Sequence, residues 1–286
     1  PQRCTCESTT RIYAETRAVE PIIPLRLFRN PIFSVGNAFG FLVGFAIFGG
    51  AIYLPLYLQT VKGMSPTESG LAMLPMVAGM FSMSIISGQL IVRTGKYKIY
   101  PIVGTSILIL ALFLLSTLQY DTPYWHTAVF ALLFGIGLGL AMMTIVTPVQ
   151  NSVDPRDMGV ATSATTFSRS LGGAIGAALF GAIMGVRLTH YLKAIPEVAS
   201  GSMSMAGIDT NDITAIHNLA DPLKTDVLVA FTSSVTDVFL YAIPIIALAL
   251  VVVCFLKEIP LRTIAPIQQE AQEDAMIDEF VPVTVH

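Results

Sequence analysis

Charged residues are scarce in this chain. They make up 12% of its 286 residues, whereas soluble domains carry roughly 25%. Hydrophobic residues reach 53%, and the formal net charge is −3. This balance, without a clustered basic face, argues against a nucleic-acid-binding protein. It predicts that the lipid bilayer, and not water, is the main solvent of the chain.

Residues that typically carry catalysis or bind metals are also few. The sequence contains three cysteines and four scattered histidines, which is too little for a disulfide framework or a histidine metal site. We find no H-E-x-x-H, no G-x-G-x-x-G after a strand, no Walker loop and no G-x-S-x-G motif. We therefore predict that the protein is not an enzyme and binds no cofactor or metal.

Long apolar runs are abundant instead. A helix needs about 20 mostly apolar residues to cross the hydrocarbon core, and a barrel strand would be about 10 residues long with alternating polarity. Helices also satisfy their own backbone hydrogen bonds in lipid. The sequence thus predicts an all-α integral membrane protein, a bundle of six transmembrane helices at roughly 32–60, 68–92, 98–118, 126–149, 159–186 and 237–256.

The remaining segments give a domain plan. We expect a residual cytoplasmic linker at 1–20, the six-helix bundle at 21–262 with a long outer loop at 187–236, and an acidic cytoplasmic tail at 263–286. Basic residues favour the cytoplasmic side of a membrane. Eleven of the sixteen fall on that side if the N-terminus is inside, so we predict that both termini are cytoplasmic.

One charged side chain interrupts the apolar runs. Arg169 lies about ten residues into the fifth run, where it would cost several kcal/mol facing lipid. It either lines a central cavity or braces two helix bundles by pairing with a partner. The alternatives are that it reaches the inner interface or bonds backbone carbonyl groups.

Two further patterns have both a functional and a structural interpretation. The methionines Met73, Met76, Met80 and Met83 recur on one face of the second run, where they could adapt to varied apolar substrates or fill packing space. Glycines at small-residue spacing allow close helix approach, for static packing or for sliding. They are Gly40, Gly44, Gly135, Gly139, Gly172, Gly176, Gly181 and Gly185.

Acidic residues are missing from the middle of every run. Glu68 and Asp237 stand only at predicted outer ends. A proton-coupled transporter normally needs a carboxylate that changes protonation within the membrane. If this chain belongs to such a transporter, we expect its proton carrier in another part of the protein.

The loop after the second run has a distinct pattern, G-x-L-x-x-R-x-G-K, formed by Gly88, Leu90, Arg93, Gly95 and Lys96. Gly88 suits a close helix approach and Gly95 suits a turn with positive φ. The pattern resembles the signature loop between the second and third helices of the major facilitator superfamily. In that family the loop acts as a cytoplasmic gate. The family pattern has an Asp before the Arg, whereas this chain has Val92.

A second resemblance points to one branch of this superfamily. The segments DPRDMGVATS at 154–163 and FSRSLGG at 167–173 resemble the penultimate span of the fourteen-helix drug:proton antiporter branch, known as DHA2. The opening PLRLFRN at 24–30 is similar to the entry of that branch into its ninth span. The resemblance covers about 21–262 and implies the C-terminal half of a major facilitator fold, spans nine to fourteen.

The resemblance implies a function for the intact protein. It implies multidrug efflux, in which hydrophobic, cationic compounds leave a bacterial cell through its plasma membrane in exchange for protons. The partners would be the lipid bilayer, a small hydrophobic substrate, protons and a missing N-terminal helix bundle. Two alternatives stay open: a six-span protein that self-assembles into a pore or carrier, and a membrane receptor or scaffold that uses 187–236 externally.

Overall fold

The computed structural model describes residues 25–95, 97–195 and 223–256, and all the regular secondary structure in this part of the chain is helical. Short 3-10 helices lie at Leu25–Arg29 and Pro155–Asp157. The α-helices are α1 Pro31–Thr60, α2 Pro66–Ala72, α3 Leu74–Thr94, α4 Ile99–Ser116, α5 Tyr124–Asn151, α6 Met158–Lys193 and α7 Leu223–Cys254. Six of the resulting segments are long and apolar enough to cross a membrane, with α2 and the main part of α3 forming one of them. The predicted all-α fold class is confirmed.

Local signals explain where the helices begin and end. The side chain of Asn30 accepts a hydrogen bond from the Ile32 N–H and caps α1, which has Pro31 at its first position. Ser65 and Glu68 form a reciprocal capping box at the start of α2. Gly95 ends α3 with a φ of 67° and donates its N–H to Ile91.

The last two spans differ from the sequence-based plan. We expected an outer loop over 187–236, but α6 continues through Lys193 and α7 begins at Leu223. The predicted spans end where the apolar run gives way to polar residues. A helix can continue past that point wherever backbone hydrogen bonds and packing support it. Asp237 consequently lies fourteen residues after the first residue of α7 and not at its end. The linker 1–20 and the tail 263–286 lie outside the described residues.

The helices pair in two equivalent sets. Helix α1 runs parallel to α6 and packs along it, and α5 runs parallel to α3 in the same way. Helix α4 packs against α5, as α7 packs against α1, while α4 and α7 contact each other. The first three spans and the last three therefore repeat one packing scheme, as the halves of internally repeated transporters do.

Burial separates central helices from peripheral ones. More than half of the most apolar segment is buried in both α1 and α5, against 17% in the α2–α3 span and 28% in α6. Large aromatic side chains fill the contacts of α1, since Phe134 of α5 and Phe180 of α6 are fully buried beside it. The α1–α5 pair therefore forms the centre of the bundle, and α3 and α6 leave wide apolar faces uncovered.

Candidate functional site

The site centres on Arg169, which α6 places beside α1 and α5. Arg169 is half-buried and lines a small cavity of about 20 Å³, room for roughly one water molecule. Three helices contribute the lining: Phe39, Gly40 and Val43 of α1, Ala141, Met142 and Val146 of α5, and Thr165 and Arg169 of α6. Apart from Thr165 and Arg169, the residues that line this cavity are apolar.

Close packing fixes the position of the Arg169 turn. A Cβ atom on Gly44 of α1 would lie 2.3 Å from the Arg169 carbonyl oxygen and 2.9 Å from the Gly173 nitrogen. No side chain fits into such a gap, so the backbones of α1 and α6 touch directly there. The Arg169 side chain therefore extends from a closely packed helical turn.

The polar neighbours of Arg169 are hydrogen-bonded to one another or to the backbone. Thr165 donates its hydroxyl to the Ala161 carbonyl at 2.9 Å. Ser168 donates to Asn37 Oδ1 at 3.0 Å, and Asn37 Nδ2 donates to the Phe33 carbonyl at 2.8 Å. Arg169 itself makes no hydrogen bond or ion pair with any residue in the described ranges. Its guanidinium donors are thus open to a partner from outside these helices.

Most of the predicted packing glycines lie at helix contacts. A Cβ on Gly172 would approach the Phe41 carbonyl oxygen to 2.0 Å, and one on Gly135 would approach the Met76 carbonyl oxygen equally closely. Gly139 meets the Met80 carbonyl, and Gly176 meets Phe45, in the same two interfaces. Gly40 and Gly181 make ordinary contacts, whereas a Cβ on Gly185 would meet no other described atom within 4 Å.

The methionine stripe belongs to a helix interface. Met76 is buried, and Met73, Met80 and Met83 are half-buried. The backbone of Met76 and Met80 lies directly against the glycines of α5, so this face of α3 packs on α5. None of the four lines the cavity at Arg169. The geometry thus favours packing over substrate contact for these residues.

The segment at the end of α3 has exposed residues. Leu90 and Arg93 are exposed, and Gly95 has the positive φ that its turn requires. A Cβ on Gly88 would have no described atom within 4 Å, so the expected close approach does not occur within this bundle. Lys96 lies outside the described residues. This loop and the Arg169 cavity form separate features of the structure.

Sequence reasoning missed a polar network between α6 and α7. Arg187 Nε lies 3.2 Å from Asp237 Oδ2, and the Arg187 guanidinium donates to the Tyr241 hydroxyl. Tyr191 donates its hydroxyl to the same Asp237 oxygen at 3.0 Å. A usable signal was present, because each charge has a tyrosine four residues further on, on the same helix face. The network compensates the only carboxylate that lies deep within a described helix.

A second set of contacts fastens the opposite end of the bundle. Arg26 places one guanidinium nitrogen 2.9 Å from both carboxylate oxygens of Asp157. Asn30 donates Nδ2 to the Ser152 carbonyl at 2.7 Å. These bonds join the segment before α1 to the turn between α5 and α6. They give a structural role to the two stretches at 24–30 and 154–163 that carry the family resemblance.

Two turns at the same end of the bundle are tied together through Lys62, which lies between α1 and α2. Its ammonium group donates to the Tyr120 carbonyl at 2.6 Å and lies 5.8 Å from the centre of the Tyr57 ring. Partial burial lowers the pKa of Lys62, and the negative charge of Asp121 opposes that shift.

In the described ranges, no group of three or more His, Cys, Asp or Glu side chains could hold a metal ion.

Six membrane-capable helices packed in two equivalent sets, with an arginine at a small cavity between three of them, define a multi-pass membrane protein with the architecture of a transporter bundle. The sequence matches the family model described as the Major Facilitator Superfamily over residues 8–177. The chain belongs to the Major Facilitator Superfamily.

Curated relatives extend this match along most of the chain. An uncharacterized MFS-type transporter of Mycobacterium tuberculosis, Rv1877, is 36% identical over 253 residues, which cover 88% of this chain and 36% of the relative. The multidrug transporter protein MdtP of Bacillus subtilis is 34% identical, over 92% of this chain and 53% of its own length. A tetracycline resistance determinant of Streptomyces rimosus is 29% identical, over 91% and 81%. The chain therefore spans about half, or less, of the first two relatives.

Solved structures agree on the fold. A bacterial homolog to the human lysosomal transporter Spinster, in an inward-facing and unoccupied conformation, aligns with a TM-score of 0.66. The alignment covers 87% of this chain and 53% of that chain, at 16% sequence identity. At this identity the likeness concerns the fold alone, and it again relates this bundle to about half of a transporter.

Proposed function

We propose that this chain forms one of two helix bundles of a proton-coupled exporter of hydrophobic compounds, of the fourteen-helix drug:proton antiporter branch. The bundle supplies one wall of the substrate path, and a second bundle supplies the other wall. In this proposal the protein lies in the plasma membrane of a bacterium with both termini in the cytoplasm. Its partners are the lipid bilayer, a hydrophobic substrate, protons and the second bundle.

The observation that carries the proposal is the half-buried cation beside the central helices. Arg169 lines a cavity between α1, α5 and α6, and its guanidinium has no partner in the described helices. An ionisable residue within a membrane span marks a substrate or ion path more often than a packing site. The names of relatives add support, since they include a multidrug transporter and a tetracycline resistance determinant.

Uncovered apolar faces support a second bundle. Phe81 and Ile85 of α3 are each 60% exposed, as is Phe167 of α6. These two helices flank the α1–α5 centre in equivalent positions. We propose that the second bundle covers part of these faces and closes the substrate path opposite Arg169. The curated relatives are long enough to contain such a bundle.

The proposed coupling site lies in the second bundle. Asp237, the one carboxylate deep within a described helix, already pairs with Arg187 and accepts a hydrogen bond from Tyr191, so it is engaged within this bundle. Binding and release of a proton requires a carboxylate whose charge is free to change within the membrane. The segment that contains Gly88, Leu90, Arg93, Gly95 and Lys96 serves, in this proposal, as a cytoplasmic contact between the bundles.

The test is export of a hydrophobic fluorescent compound from cells that produce the bundle within a full-length transporter. We expect export that stops when the proton gradient is collapsed, and that falls strongly in Arg169→Ala without a change in membrane abundance. Arg29→Ala, which removes an exposed arginine before α1, is the matched control and should export normally. Export that survives collapse of the gradient would rule out proton coupling. Normal export by Arg169→Ala would contradict the proposed role of Arg169 in the substrate path.

A further inference from the structure

Arg169 is the one uncompensated charge deep in the described spans. Arg187 and Asp237 pair with each other, and helices α1 and α4 contain no charged residue. Arg169 lies eleven residues after the first residue of α6, about 16 Å along the helix axis. Whatever faces this bundle from the substrate path therefore meets a net positive charge.

The hydrogen-bonding groups around this charge also favour one kind of partner. Thr165, Ser168 and Asn37 donate their hydrogen bonds within the bundle. A guanidinium has five N–H donors in a planar fork and no acceptor, and it binds carboxylates through two parallel hydrogen bonds. A partner at this point must consequently supply acceptor oxygens, and a negative charge binds most strongly.

The rest of the lining is apolar. Phe39 and Val43 of α1 and Met142 and Val146 of α5 border the cavity, whose 20 Å³ accommodates a group the size of one water molecule. An acidic oxygen fits next to Arg169, while a hydrophobic body would lie against the apolar side chains and extend toward the second bundle. A flexible methionine in this lining tolerates varied shapes.

We propose that Arg169 binds the acidic group of amphipathic substrates, so that the transporter prefers hydrophobic anions to hydrophobic cations. This rests on the proposed function, and it names the substrate class of that same site. It opposes the cationic substrates implied by the family resemblance, because a lipophilic cation would meet the like charge of Arg169 in a site with little water. Arg169 is here a specificity-determining residue.

The experiment uses the full-length transporter in inside-out membrane vesicles with an imposed proton gradient. The probes share one fluorophore and differ in one group: a carboxylic acid, the corresponding carboxamide and a trimethylammonium derivative. The variants are Arg169→Gln and Arg169→Lys, with Arg29→Gln as a control for loss of an arginine outside the cavity. Equilibrium binding of each probe to the purified protein is measured alongside transport, by fluorescence polarisation.

We expect wild type to bind and transport the acid in preference to the other two probes. Arg169→Gln should weaken acid binding and transport by about tenfold and change those of the amide by less than about twofold, because only the charged hydrogen bonds are lost. Arg169→Lys should keep part of the preference, and Arg29→Gln all of it.

Other outcomes separate the two proposals. If Arg169→Gln lowers acid and amide transport equally at normal abundance, Arg169 pairs with a carboxylate of the second bundle, and the anion proposal is wrong while export stands. If wild type prefers the trimethylammonium probe, the anion proposal is also wrong. If no probe is transported but the acid binds in an Arg169-dependent way, recognition of anions holds and the export function fails.

Discussion

Glycine residues set the distance between the helices at two equivalent interfaces. The backbone of α6 touches that of α1 at Gly172, and the backbone of α5 touches that of α3 at Gly135. In lipid there is little hydrophobic gain from bringing helices together, so association depends on close packing and polar contacts. Single methyl groups at these points should therefore have large effects, whereas methyl groups at open glycines should not.

We predict that Gly172→Ala destabilises the bundle. The new Cβ would lie 2.0 Å from the Phe41 carbonyl oxygen, and overpacking of this kind typically costs about 1–3 kcal/mol. Thermal unfolding in detergent should show a lower Tm and membranes should contain less folded protein. Gly185→Ala is the matched control on the same helix, because its Cβ meets no described atom within 4 Å. Equal stability of the two variants would show that α1 and α6 do not touch at Gly172.

A second pair of glycines separates backbone strain from packing. At both Gly88 and Gly95 an added methyl group would have no other described atom within 4 Å, but only Gly95 has a positive φ. Gly95→Ala should destabilise the protein by about 1–2 kcal/mol, because an L-residue is strained in the left-handed region. Gly88→Ala, within helix α3, should be neutral or stabilising. Thermal unfolding of both variants measures the difference, and a stable Gly95→Ala would contradict the positive φ.

The ion pair between α6 and α7 makes a prediction about coupling. Arg187→Gln and Asp237→Asn each leave an opposite charge without its partner, so each should lower the Tm. The double variant removes both charges and should lose less than the sum of the two single losses. Additive losses would show that the two side chains do not interact in the membrane. Tyr191→Phe tests the third member and should have the smallest effect, because it removes one hydrogen bond.

At the scale of helices, polar residues at the ends define the elements. Asn30 both caps α1 and reaches the turn after α5, accepting from Ile32 and donating to Ser152. Its two bonds therefore join a local signal to a long-range contact. These two bonds explain how the short segment before α1 holds the start of that helix against the turn after α5.

We predict an order of stability for substitutions at Asn30. Asn30→Ser keeps a good cap but is too short to donate to Ser152, so it should lose about 1 kcal/mol. Asn30→Ala loses the cap as well, which adds about another 1 kcal/mol. Chemical or thermal unfolding should rank wild type above serine and serine above alanine. If serine and alanine are equal, Asn30 does not cap α1.

The six spans could be predicted from the sequence because each apolar run has the length of the hydrocarbon core. The unbroken length of α7 could not, since residues 223–236 mix polar and apolar side chains and their continuity with the last span depends on packing against α1, α4 and α6. Glycine spacing indicated close contacts but not the partner helices. Gly172 and Gly185 look alike in sequence, and only the relative placement of α1 distinguishes them.

The same limit applied to the candidate site. An arginine within an apolar run is visible in the sequence, so Arg169 could be singled out. The hydrogen bonds that its polar neighbours make with one another depend on the packing of α1 against α6, and the sequence does not reveal them. The methionine stripe shows the opposite case. Its spacing indicated one face of a helix, and the structure places that face against α5. Periodicity identifies a face but not what covers it.

At the scale of the whole molecule, two facts support a partner bundle. The chain spans 36% of Rv1877 and 53% of MdtP, and helices α3 and α6 expose apolar faces on either side of the centre. In alternating access, two bundles rock around a central site. A single bundle has only one wall of that site, so we expect no transport from it alone.

The most direct measurement is proton-gradient-driven export of a hydrophobic fluorescent compound by two separately encoded polypeptides, this chain and the second bundle. Cells would produce either polypeptide alone or both together, with membrane abundance measured in each case. We predict export only when both are present, and loss of that export when this chain carries Arg169→Ala. Export by this chain alone would contradict the account, because it would place the complete substrate path and the proton-coupling site within these six spans.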